Sequence, residues 1–264
     1  MQNVTELVIT LKKSEDMATT TAITHKTNVS NFNKFVIEVT AFGIAYTPTK
    51  TSIMADALNT LNVKMKTVDT AETVALLDLN NARNARADIF AMSTDIITRV
   101  ANAIRATDIP ESTKEDLLSI TSKFLGRVRS TKKETTVAAT EGQASTTTTS
   151  HGKVPQDMDS KLSYLDTLIK QITTVTAYNP NEANLKVANL TTLYDEMKVK
   201  RTAEITAEAA HDNAAITRNN VMYADITGII DVTNDVKAYV KSLYGASSPQ
   251  YKQLTTLKFT KPKL

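Results

Sequence analysis

Ala45-Tyr46-Thr47-Pro48 returns 132 residues later as Ala177-Tyr178-Asn179-Pro180, and the reading of this pair decides the fold. At the same offset Leu58, Leu61, Met65 and Lys66 meet Leu190, Leu193, Met197 and Lys198, and Thr70-Ala71-Glu72 meets Thr202-Ala203-Glu204. Asn81-Ala82 meets Asn213-Ala214, Arg86 meets Arg218, and Val100, Asn102 and Ala106 meet Val232, Asn234 and Ala238. Ser122-Lys123-Phe124 answers Leu257-Lys258-Phe259 at an offset of 135, so the second copy carries a three-residue insertion. A register kept over this length reads as an internal duplication.

Within the repeats glycine is scarce and apolar residues recur at steps of three and four, the spacing of amphipathic helices. The expected fold is all-α: two tandem, internally duplicated antiparallel bundles. A first helix is expected after Ser30, presenting Phe32, Phe35, Val36 and Val39 and ending at Tyr46, because the residue before Pro48 is pushed out of the helical region. Its counterpart spans Asp159 to Tyr178. A second helix opens after Pro48 with Ile53, Ala57, Leu61 and Met65, and after Pro180 in the other copy. A third carries Arg86, Phe90, Ser93, Ile97, Val100 and Ile104, matched by Arg218, Met222, Asp225, Ile229, Val232 and Val236. It ends near Thr107 and near Gly245, and a short fourth helix follows Pro110 and Pro249.

These readings divide the chain into a polar arm (1–28), a first helical repeat (29–126), a linker (127–156) and a second repeat with a C-terminal tail (157–264). The linker holds Arg127, Arg129, Lys132 and Lys133, then the tract Thr146-Thr147-Thr148-Thr149-Ser150, which offers too little apolar surface to offset ordering. In the arm, Val4 to Leu11 is a candidate short β segment. Met17 followed by Ala18-Thr19-Thr20-Thr21 resembles a second translational start, by which residues 1–16 would be an upstream extension, the alternative being the strand at Val4 to Leu11.

Composition excludes several classes of function. The chain has no cysteine, so thiol chemistry and cysteine-held metals are out, and it has only three histidines. Lys and Arg number 31 against 28 Asp and Glu, interspersed rather than clustered, which argues against nucleic acid as a partner. No run approaches the roughly 20 apolar residues of a membrane-spanning helix, and the start lacks the pattern of a secretory leader. The expectation is a cytoplasmic protein without a membrane partner, with leaderless export as the alternative.

The Ala-Tyr-Thr/Asn-Pro turns and the C-terminal run from Lys237-Ala238-Tyr239-Val240-Lys241-Ser242 to Gly245-Ala246-Ser247-Ser248-Pro249-Gln250-Tyr251-Lys252-Gln253 carry a resemblance. From about Asn31 onward the chain resembles an uncharacterised bacterial family of internally duplicated all-α proteins, from which it departs in residues 1–16. The resemblance implies no catalytic residue.

A site built on repeated helices is expected to recur in both copies. Glu208 and His211 have the Glu-x-x-His spacing of diiron bundles, but the matching positions are Leu76 and Leu79, so no second half-site exists. Asp157, Asp159 and Asp166 lack the glycine and terminal glutamate of a calcium loop and read as a helix N-terminal cluster. No phosphate-binding glycine loop and no nucleophile elbow occurs. Catalytic, cofactor and metal sites are therefore expected to be absent. Arg86 and Arg218, with Asn81 and Asn213 close in sequence, form the one recurring polar set. It reads first as structural, each guanidinium being met by a carboxylate or a helix-terminal carbonyl, and second as a paired anion site.

The functional expectation is a non-enzymatic structural or self-assembling interaction protein whose partner is itself, as a homo-oligomer or filament. Val4 to Leu11 and Leu254 to Phe259 are the segments expected to be exchanged between copies. The alternatives are a membrane-acting helical toxin or component, and a small-ligand-binding helical bundle.

Overall fold

The computed structural model describes residues 24–127 and 154–262. Every regular element among them is helical, in agreement with the all-α expectation. The candidate β segment at Val4 to Leu11 and residues 128–153 of the linker lie outside the described residues.

Helix α1 covers residues 24–41. It is followed by α2 (Ala55–Ala106), α3 (Glu111–Phe124), α4 (Met158–Thr173), α5 (Val187–Met222), α6 (Ile229–Tyr244) and α7 (Pro249–Thr256). The second and third helices expected in the first copy are one continuous helix, α2, of 52 residues. No glycine or proline interrupts it, and Pro48 and Pro110 flank it. The matching stretch of the second copy is broken between Met222 and Ile229. There Ile226 takes a left-handed φ of 69°, held by its N–H donating to Asp231 Oδ2 at 2.7 Å. A Cβ on Gly228 would lie 2.5 Å from the Ala224 carbonyl oxygen, so only glycine fits this close turn.

Local caps explain the other ends. Asp157 accepts from Ser160 N at 2.9 Å to open α4, and Ser248 accepts from Tyr251 N at 3.2 Å, with Pro249 next in line, to open α7. Helix α3 closes with Gly126 at φ 69° and Arg127 N donating to Ser122 O at 2.8 Å, the bond pattern of a Schellman cap.

The chain forms two compact units, and these cut across the expected tandem boundaries. Unit 1 gathers Met1–Leu79 with Ala207–Leu264, and unit 2 is Asn80–Thr206. The core of unit 1 combines Leu58 and Met65 of the first copy with Met222, Ile229, Val232 and Val236 of the second. The core of unit 2 combines Leu190 and Met197 of the second copy with Phe90, Ile97, Val100 and Ile104 of the first. The repeated core residues thus fall in different units, Leu58 and Met65 in unit 1 with Leu190 and Met197 in unit 2, and Val100 in unit 2 with Val232 in unit 1. Long α2 and α5 carry the cause: each runs on from one core into the other instead of folding back within its own repeat.

The repeated turn is built alike in both units. Tyr46 Oη donates to Ile53 O at 2.7 Å and Tyr178 Oη to Leu185 O at 3.0 Å. Each carbonyl ends a single 3₁₀ turn, Thr51–Ile53 and Ala183–Leu185. Burial raises both hydroxyl pKa values, that of Tyr178 to about 12, with Tyr239 adding to the effect on Tyr46 and Glu182 to that on Tyr178. The first helices match at an offset of 133, pairing Phe32, Phe35 and Val39 with Leu165, Leu168 and Ile172, all buried. One residue is therefore lost in the turn of the second copy.

Two expectations about the ends are corrected. The polar arm does not extend to residue 28: α1 already covers residues 24–28, and His25 and Asn28 are buried. The segment from Leu254 to Phe259 is not free for exchange as a strand. Leu254 is buried within α7, and Phe259 packs edge-on against Phe32 and Phe35 with centroids 6.3 and 5.8 Å away. Lys237 Nζ sits 5.4 Å above the Phe259 ring and donates to Leu257 O at 3.0 Å, so the segment is strapped to its own unit.

Because each turn rests on one buried hydroxyl, Tyr46→Phe and Tyr178→Phe should each leave a carbonyl unpaired and lower stability by about 1–2 kcal/mol. Denaturant unfolding of the two variants should show losses of similar size, and a neutral outcome at either site contradicts the assignment.

Candidate functional site

At three-four spacing α2 carries Glu72, Ala75 and Leu79 in unit 1 and Ala82, Arg86 and Ile89 in unit 2, and α5 carries Glu204 in unit 2 and Ala207, His211, Ala214, Arg218 and Val221 in unit 1; Leu79, Glu204 and Arg218 are buried and the others partly buried. Polar residues therefore occupy positions that a purely hydrophobic seam would fill with leucine. In unit 2, Arg86 Nε lies 2.9 Å from Glu204 Oε2, an ionic contact without an aligned hydrogen bond. Arg201 reaches the same carboxylate at 2.9 Å, and Arg83 approaches it at 4.0 Å. In unit 1, Arg218 Nη1 lies 3.0 Å from Glu72 Oε1, and His211 Nε2 approaches that oxygen at 3.4 Å. Glu72 and Glu204 are themselves 132 residues apart, and each arginine meets the glutamate of the other long helix.

Of the residues singled out in the sequence, Arg86 and Arg218 thus lie in separate units, each against a carboxylate. Asn81 and Asn213 are exposed and belong to neither pair. The twin glutamates were visible in the Thr-Ala-Glu match, but nothing in the sequence indicated that they face the arginines.

Unit 1 holds a second polar cluster that sequence reasoning missed. The helix break after Met222 brings Tyr223 inward, where its hydroxyl lies 2.8 Å from His25 Nδ1 and 2.9 Å from Asn28 Nδ2. Asn28 also donates to Thr260 O at 2.7 Å, and Thr260 N donates back to Asn28 Oδ1 at 3.2 Å. Helix α1, the end of α5 and the C-terminal segment are joined at this point. The amide nitrogen of Asn28 can only donate, so all partners are used when the Tyr223 hydroxyl donates to His25 Nδ1. His25 then carries its proton on Nε2, a buried atom with no hydrogen-bond partner. Burial first, and the Arg218 charge second, lower the His25 pKa to about 4 against an opposing pull from Glu72. The counterpart of Tyr223 in unit 2 is Ala91, so this cluster has no twin.

Unit 2 has a distinct opening of its own: a cleft of about 680 Å³ floored by Tyr178 and bounded by Ala103, Thr107 and Asn179, with Arg99 and Glu182 at its edge.

Two outcomes follow for these clusters. Unfolded histidine takes up a proton near pH 6.5 whereas buried His25 resists until about 4, so unit 1 should lose stability as pH falls through that window, by about 3 kcal/mol at most. Asp69, whose pKa is raised mainly by burial and next by Glu72, opposes the loss at the acid end. His25→Phe should flatten the slope of melting temperature against pH between 6.5 and 4. In unit 2, Glu204→Gln should destabilise by about 2 kcal/mol because it leaves the partly buried Arg86 guanidinium without its carboxylate, while the Arg86→Met, Glu204→Leu pair should cost less than that single change in thermal unfolding.

No protein-family model matches the chain, and neither a curated protein nor a solved structure proves similar to it.

Proposed function

We propose that the chain is a non-enzymatic structural protein that self-associates, built by duplication of one helical module whose halves are exchanged within the chain. The observation that carries this reading is the apolar surface on the outer faces of the long helices. In unit 1, Val63, Val74 and Leu77 of α2 are 64%, 51% and 58% exposed. They are separated by eleven and three residues, spacings that return to one side of an α-helix, so all three lie on one face of α2, with Thr67 and Thr70 between Val63 and Val74. Faces of this kind are covered in assemblies. The ion pairs support the same reading, since buried Arg218 and Glu204 and partly buried Arg86 and Glu72 are spent on holding helices together.

The occupant in this reading is a second copy, which is supported by the way unit 1 is completed by segments from distant parts of the chain. The C-terminal segment is strapped to unit 1, so side-by-side contact of helix faces replaces strand exchange as the mode of association. No helix among the described residues is long and apolar enough to cross a membrane, which weakens the membrane-acting alternative. The ligand-binding alternative is favoured by one observation, the cleft at Tyr178.

Sedimentation across a concentration series is the test. The wild-type chain should form a defined oligomer, and Val74→Lys with Leu77→Lys should shift it to monomer at unchanged helicity. A wild-type chain that stays monomeric at high concentration would sink the proposal.

A further inference from the structure

The two copies of the Tyr-Pro turn differ in what covers the tyrosine ring. In unit 1, Tyr239 of α6 stands edge-on against Tyr46, with centroids 5.3 Å apart and planes at 84°. Its hydroxyl accepts from Thr47 N at 3.3 Å. One turn earlier on the same helix Asp235 pairs with Lys50, closing the edge. This face of the first turn is therefore filled by the chain itself: a phenol ring, one backbone hydrogen bond and one ion pair.

Each of those parts has an identifiable counterpart in unit 2. Tyr178 stands for Tyr46, Asn179 for Thr47, Glu182 for Lys50, Ala103 for Asp235 and Thr107 for Tyr239, all at the offset of 132 that also matches the buried pairs Val100 with Val232 and Ile104 with Val236. The two positions whose side chains cover the ring in unit 1 hold a methyl group and a small alcohol in unit 2, while Tyr178 itself stays as buried as Tyr46. Thr107 turns its hydroxyl to Ala103 O at 2.8 Å, away from the role of Tyr239. The N–H of Asn179 meets no acceptor among the described residues. The result is the cleft of about 680 Å³, a size usual for ligand sites.

We infer that this cleft binds a phenol ring supplied from outside the chain, seated edge-on against Tyr178 with its hydroxyl accepting from Asn179 N–H, as Tyr239 does in unit 1. The ring belongs to a free phenolic compound or to a tyrosyl side chain, which share this chemistry. Edge-to-face packing suits an aromatic partner better than an aliphatic one, and the unused N–H selects a ring with an oxygen. Arg99 at the edge is exposed and leaves room for a polar substituent on the ring. The inference does not depend on self-association: a monomer that binds phenols would overturn the assembly reading and leave this one standing.

The test is a titration of the full chain with p-cresol and with N-acetyl-tyrosinamide, followed by the amide resonance of Asn179. Saturable shifts with a Kd of about 1 mM are expected for fragments of this size, and N-acetyl-phenylalaninamide should bind about fivefold more weakly for want of the hydroxyl. Thr107→Tyr should fill the cleft from within and weaken p-cresol binding at least tenfold, and Ala103→Leu should block it independently if the first variant misfolds. The converse variant, Tyr239→Ala, should open a second site in unit 1 and regain thermal stability when p-cresol is added. A tyrosine peptide binding more tightly than N-acetyl-tyrosinamide supports the site and assigns its ring to a partner protein, whereas equal or weaker binding supports it as a small-molecule site. Absence of saturable shifts at Asn179, or binding unchanged by both Thr107→Tyr and Ala103→Leu, overturns the inference.

Discussion

The length of α2 is the constraint on which the rest of the structure depends. Its 52 residues make a helix of about 78 Å, far longer than the radius of gyration of about 13 Å usual for a compact unit of about 100 residues. Its start must therefore be buried in one core and its end in another. Once Leu58 and Met65 are committed to unit 1 and Ile97 and Val100 to unit 2, the matching residues of α5 and α6 have to complete the opposite sets. Between these commitments the Glu72–Arg218 and Glu204–Arg86 pairs fix the register, because a slip by one turn in either helix would strand a buried charge.

Much of this was legible from residues alone, and the limits are instructive. The tyrosine turns, the apolar stripe and the helical class follow from proline placement and three-four spacing, which are local properties. The exchange of halves does not. A repeat offset of 132 is preserved whether Leu58 packs with Val100 or with Val232, so the sequence cannot distinguish a bundle closed within one copy from a bundle shared by two. The only hint was physical: the stretch from Ala55 to Ala106 contains no residue able to turn the chain back.

Other misreadings have separate causes. His25 and Asn28 looked like members of a polar arm because their partner, Tyr223, lies 198 residues from His25 and becomes available only through the break at Gly228. Leu254 to Phe259 looked β-prone because alternation is ambiguous in a short segment, and its anchor, the Phe32 and Phe35 pair, is supplied from far away in sequence. The cleft at Tyr178 could have been found by asking of each apolar contact, and not only of each motif, whether its twin retained it. Tyr239 and Thr107, 132 residues apart, differ by a whole ring beside a tyrosine present in both units.

The division into units also has a consequence for the order of synthesis. Unit 2 is a single contiguous run from Asn80 to Thr206, whereas unit 1 joins the two ends of the chain. A chain emerging from the ribosome therefore possesses all of unit 2 while unit 1 still lacks α6, α7 and the Phe259 strap. Until those residues appear, α1 and the first half of α2 expose Phe32, Phe35, Leu58 and Met65 to solvent, and closing unit 1 must bridge the whole of unit 2 in sequence, a non-local step that is slow relative to local helix packing. During that interval the nascent N-terminal third is the part of the molecule open to capture, whether by a chaperone or by the newly completed C-terminal third of a neighbouring chain.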